Sequence, residues 1–151
     1  MKLRALLGVA VIGAVGMVAP GVAGASNAPT EYFTGIQTSL SGAQTVTAVG
    51  PLSATGTDVE TSKTTDQYDF PDGSLMIRHH AIATTKKTDG PACSFVFLQT
   101  GTYVITGGTG AYTHALGSGT FRVHGIIADC KGQPPTEIAI TIEAHGPLTL
   151  G

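Results

Sequence analysis

From Tyr32 onward, apolar and polar residues alternate over short stretches, and no stretch repeats its apolar positions at helical spacing. Thr, Val, Ile, Phe and Tyr fill these stretches, and Gly and Pro punctuate them, which predicts β structure throughout. After a leader at Ser26–Thr30, strands are predicted over Tyr32–Leu40, Thr45–Val49, Leu52–Lys63, Asp66–Phe70, Ser74–Thr85, Cys93–Thr106, Thr120–Asp129 and Thr136–His145. Pro71-Asp72-Gly73 and Asp89-Gly90-Pro91 read as turns, Gly107–Gly119 as a Gly-rich connection and Lys131–Pro135 as a loop.

The alternation also assigns faces. In the last strand Ile138, Ile140, Ile142 and Ala144 share one side, and Glu137, Thr141, Glu143 and His145 the other. Phe121, Val123 and Ile127 oppose Thr120, Arg122 and His124 in the same way, so Arg122 and His124 read as surface. Cys93–Thr106 is apolar on both sides, with Phe95, Phe97, Tyr103 and Ile105 against Val96, Leu98 and Val104. Such a strand is expected to be covered twice, by another layer of the chain or by another subunit. About eight short strands without an obvious lone edge predict an all-β fold, a closed antiparallel barrel, with a sandwich as the second choice.

The N-terminus has a different pattern. Lys2 and Arg4 precede the apolar run Ala5–Ala19, Pro20-Gly21 breaks it, and Ala23-Gly24-Ala25 offers a small-residue cleavage site. Residues 1–25 read as a signal peptide and residues 26–151 as one secreted domain. An uncleaved anchor is the lesser alternative, because a span needs roughly 20 apolar residues. No membrane span is expected after cleavage. Removing Lys2 and Arg4 leaves six basic residues against ten acidic ones, so the mature chain is mildly acidic. Charged residues are only 12% of the whole, which offers no basic patch for nucleic acid. In an exported chain the even count of Cys93 and Cys130 reads as a disulfide, stabilising by about 4 kcal/mol through loop closure.

The most specific segment is Ile105-Thr106-Gly107-Gly108-Thr109-Gly110-Ala111-Tyr112-Thr113-His114-Ala115-Leu116-Gly117. It has no G-x-G-x-x-G register and no Gly-Lys-Ser/Thr, so a phosphate loop is excluded. Glycines there supply tight turns, and Tyr112 is placed to pack back onto the barrel. The segment resembles the allene oxide cyclase and dirigent proteins, whose shared pattern is an apolar strand, Gly-Gly-[Thr/Ala]-Gly, one residue, an aromatic, then Ala or Gly, Gly and a new strand. Upstream, Phe70-Pro71-Asp72-Gly73-Ser74-Leu75-Met76-Ile77 also looks like the cyclase-type run. The resemblance covers roughly Tyr68–Val123. It implies an eight-stranded antiparallel barrel, often trimeric, around an apolar cavity. Trimer packing would account for the two-sided strand. His79-His80 stand where the plant cyclases carry Gly, which counts against that activity itself.

Candidate pocket residues follow from this frame. Tyr68, Phe95, Phe97 and Tyr103 supply an apolar lining with polar handles. Arg78 and His80 share a face with Met76 and Ile82 and would bind a carboxylate or move a proton if that face turns inward. Adjacent His79 and His80 point to opposite sides, and no metal-ligand spacing occurs, so neither metal nor cofactor is expected. Asp58 and Glu60 form a same-face carboxylate pair in a polar segment and read as exposed. Gly117-Ser118-Gly119 is not a nucleophile elbow. The leading functional expectation is binding of a small apolar molecule in the barrel. The alternatives are a cyclase- or isomerase-type enzyme that templates a reactive intermediate, and a structural or surface-interaction protein with a filled core.

Overall fold

In a computed structural model of the chain, residues 27–39, 43–89, 93–128 and 137–151 are described. The chain forms a closed antiparallel barrel of eight strands in sequence order. They are β1 Thr30–Gln37, β2 Gln44–Val49, β3 Ala54–Ser62, β4 Thr65–Phe70, β5 Gly73–Asp89, β6 Ser94–Gly108, β7 Leu116–Ala128 and β8 Glu137–Thr149. Closure comes from β8 pairing back onto β1, from Thr30 opposite Pro147 to Gln37 opposite Ile140. No edge is left, and the sandwich is thereby excluded. Among the described residues no helix is long and apolar enough to cross a membrane. The expected signal peptide and the loop at Lys131–Pro135 lie outside the described residues, as does Cys130.

The two ends of the barrel differ. At the lower end, the connection from β6 to β7 is a single 3₁₀ turn, Gly110–Tyr112, folded over the β4–β5 turn. The Ala111 N–H donates to the Asp72 carbonyl at 2.9 Å, and the Thr109 N–H donates to the Ser74 carbonyl at 2.9 Å. The Ser74 N–H in turn donates to Thr109 Oγ1 at 3.1 Å. Backbones approach so closely that a Cβ on Gly110 would lie 2.3 Å from the Asp72 carbonyl oxygen, and Gly110 has φ +58°. Only glycine fits there. The Gly-rich motif and the Pro-Asp-Gly run are thus two halves of one seal.

Below the seal's surface, side chains plug the lumen. Tyr103, Phe33, Tyr68, Phe70 and Tyr112 form a chain of edge-to-face pairs with ring centroids 5.6–6.5 Å apart. All five are buried, together with Leu52, Leu75, Ala115 and Leu148. Edge-to-face contacts of this kind add to the burial of the rings themselves. Glu31 is fully buried at this end and holds the β2–β3 connection, its Oε2 accepting from the Leu52 N–H at 2.8 Å. Burial raises its pKa, against the hydrogen bonds from backbone, which lower it.

At the upper end the wall is uneven. β1 to β4 have 6 to 9 residues, whereas β5 to β8 have 13 to 17. The long strands rise past the short ones, so the barrel is open on that side.

Some expectations need correction. β7 begins at Leu116 rather than Thr120, because Gly117, Ser118 and Gly119 are already paired to Ile105, Val104 and Tyr103. Gly119 makes room for the Tyr103 ring, since a Cβ there would lie 2.7 Å from Tyr103 Cε1. Among the described residues no further layer covers the outer face of β6: Leu98 is 39% and Val104 36% exposed. Tyr112→Ala is expected to cost about 3–5 kcal/mol by emptying the lower plug. Urea unfolding followed by far-UV circular dichroism checks this.

Candidate functional site

Above the aromatic plug lies a cavity of about 580 Å³ that opens at the upper end. Strand pleat decides what faces it. On β6 the inward positions are Phe97, Gln99 and Tyr103; on β7, Phe121 and Val123; on β8, Ile140 and Ile142. Phe97 fits because Gly125 on the neighbouring strand has no side chain: a Cβ there would lie 2.0 Å from the ring. Gly101 leaves the same space for Phe121. Glycines facing inward therefore seat the aromatic wall.

The opposite wall is polar, and it comes from β3, β4 and β5. Cross-strand pairing sets Asp58 directly opposite Tyr68 and Glu60 opposite Asp66. His79 is opposite Tyr103 on β6. All six line the cavity, with Lys63 on the β3–β4 turn. His79 Nε2 lies 3.3 Å from Asp66 Oδ2, and its ring meets Phe121 edge-on at 5.9 Å. The His79 backbone N–H donates to the Thr64 carbonyl at 2.9 Å, which fixes the strand beside the turn.

Asp58 is the buried acid of this group, 8% exposed, and its Oδ1 has no hydrogen-bond partner. The Tyr103 hydroxyl is likewise buried and unpartnered. Such groups are costly unless something satisfies them. Desolvation, then the nearby Asp66 and Glu60 charges, push the Asp58 carboxyl up to about 7. Burial also raises Asp66, while His79 beside it pulls the other way. Burial raises both phenols, Tyr103 to about 12. Two carboxyls one strand apart thus sit in different settings, Asp58 desolvated with an unpartnered oxygen, Asp66 paired with His79. Among the described residues no group of His, Cys, Asp or Glu has the geometry to hold a metal ion.

Of the pocket residues read from sequence, the structure brings Tyr68, Phe97 and Tyr103 together around the cavity. Phe95 is not on its lining; it stacks on Phe97 at 5.6 Å, with Lys86 Nζ 5.8 Å from its ring centre. Arg78 and His80 are on the outside of β5 and exposed, and the residue between them, His79, is the one turned inward. Both parities of β5 carry apolar residues, so alternation could not choose between them. Asp58 was expected at the surface and is instead buried in the lumen. The overlooked signal is on the partner strand: Asp66, Tyr68 and Phe70 share one face, and two of the three are aromatic.

Comparison with protein-family models, with curated proteins and with solved structures gives no match to this chain.

A buried carboxyl with a raised pKa has a defined effect on stability. Between about pH 4, where the unfolded Asp titrates, and about pH 7, the folded state holds a proton that the unfolded state has lost. Stability from this site therefore falls as pH rises across that window and is level above it. Asp58→Asn removes the dependence. The variant is expected to match the wild type near pH 4 and to melt several degrees higher at pH 8, as read by scanning calorimetry.

Proposed function

We propose that the protein is an exported barrel that takes a small, mainly apolar molecule into its upper cavity. The observation that carries this reading is the cavity itself: about 580 Å³, open at one end, with aromatic and branched side chains on β6 to β8, acids and His79 on β3 to β5, and Gln37, Gln44 and Gln99 between them. That is the size and make-up of a small-molecule site. A barrel whose only task is structural fills its lumen, as the lower half of this one does. The kinship with the allene oxide cyclase and dirigent proteins stays part of the proposal. In its favour, both segments that carry the resemblance meet at the sealed end of an eight-stranded barrel.

An isomerase- or cyclase-type activity is the second reading. Asp58, pushed up to about 7, and Asp66, paired with His79, would serve as acid and base facing one cavity.

Export and the Cys93–Cys130 bond belong to the same proposal. Cys93 immediately precedes β6, and Ser94 pairs with Ala128, two positions before Cys130 in sequence. A second copy of the chain would cover the open apolar face at Leu98, Val104 and Ile126.

Native mass spectrometry on protein recovered from the medium of cells expressing the full chain tests these points together. Expected are a chain starting at Ser26, two hydrogens fewer than the reduced mass, and extra mass that denaturation releases. Protein that carries no guest and fails to take up a neutral probe such as 2-naphthylethanol contradicts the ligand reading. Ile142→Trp, which puts a large ring into the cavity, is expected to abolish uptake in a folded protein. Arg78→Ala and His80→Ala, both on the outer face, are expected to leave it unchanged.

A further inference from the structure

We propose that the polar wall of the cavity recognises a cationic head, so that the guest is a small aliphatic amine on an apolar body. The inference rests on the ligand-binding reading above and specifies the chemistry of its guest.

The charges on the cavity are asymmetric in depth. Asp58 is nine-tenths buried with Oδ1 unpartnered and Asp66 is half-buried, whereas Glu60 and Lys63 are both exposed on the rim. Glu60 and Asp66 flank Asp58 on the same wall, and Asp66 already engages His79. The cavity-lining residues of β1, β2, β7 and β8 carry no charge. A carboxylate or phosphate guest at this depth would bring a further negative charge beside Asp58 and Asp66, with Glu60 above them at the rim. An ammonium does the reverse: it supplies N–H donors to Asp58 Oδ1 and offsets the repulsion between the three carboxyls. The opposite wall, with Phe97 and Phe121, houses the apolar body.

Because Asp58 holds its proton up to about 7, seating a cation beside it drives that proton off. The other titratable groups facing it are Glu60 on β3, Lys63 on the turn, Asp66 and Tyr68 on β4, His79 on β5 and Tyr103 on β6. Binding of the cation is therefore coupled to net proton release at slightly acid pH.

Three probes share one body and differ in charge: 2-naphthylethylamine, 2-naphthylethanol and 2-naphthylacetate. Isothermal titration of each into the full secreted protein tests the proposal. The amine is expected to bind at least about tenfold tighter than the alcohol, with the acetate weakest. Titration of the amine just below pH 7, in two buffers of different ionisation enthalpy, is expected to show proton release. Asp58→Asn is expected to remove the preference for the amine and leave the alcohol within about twofold. Glu143→Gln, which deletes an acid on the outer face of β8, is the charge control and is expected to leave all three affinities alone. Equal binding of amine and alcohol, tightest binding of the acetate, or an undiminished preference in Asp58→Asn overturns the cationic head and leaves the cavity reading standing. Failure of all three probes to bind overturns both. Should Asp58→Asn not fold, the proton-release measurement on the wild type decides: no release contradicts the role of Asp58.

Discussion

An eight-stranded barrel has a lumen just wide enough for side chains to fill, and everything else in this protein depends on how that lumen is shared out. The ladder of edge-to-face rings from Tyr103 through Phe33, Tyr68 and Phe70 to Tyr112 fills the lower half. The seal made by the 3₁₀ turn and the Pro-Asp-Gly turn caps it from below. Since the plug is complete, the upper half is free to stay hollow. The same residues serve both halves: Phe33, Tyr68 and Tyr103 top the plug and floor the cavity.

Polar groups divide along the same line. Glu31, at the plugged end, spends one carboxyl oxygen on the Leu52 N–H and so ties a connection to the barrel wall. Asp58, at the hollow end, has no such task. Its isolation leaves a buried carboxyl oxygen without a partner on the cavity, at the cost of stability once it ionises. Fold stability and site chemistry therefore compete at Asp58 and cooperate at Tyr68, whose ring plugs while its hydroxyl faces the acids.

The barrel was legible in the sequence because its strands alternate clearly: Ile138 to Ala144 and Phe121 to Ile127 declare their inner faces without help from the rest of the chain. The Gly-rich connection was legible as a turn, and Tyr112 does pack back onto the barrel. The polar wall was not legible. Asp58 lies in a segment whose inward residues are themselves polar, and inward polar residues look like solvated ones until the partner strand is known; Glu60, at the rim, is exposed as its segment suggests. In β5 the inward choice fell between His79 and the pair Arg78 and His80, and only pairing with Tyr103 settles it. The cavity is a property of several strands at once, which no single strand's pattern contains.

With the lower half plugged, a guest has only the upper half to enter. Intermolecular nuclear Overhauser contacts between 2-naphthylethanol and methyl-labelled protein locate the guest directly. Contacts are expected to the methyls of Val123, Ile140 and Ile142, and none to Leu148 or Ala115 at the sealed end. Contacts confined to Leu98, Val104 and Ile126 on the outer face would contradict this, because the apolar surface that binds would then be the outside of the barrel and not its interior.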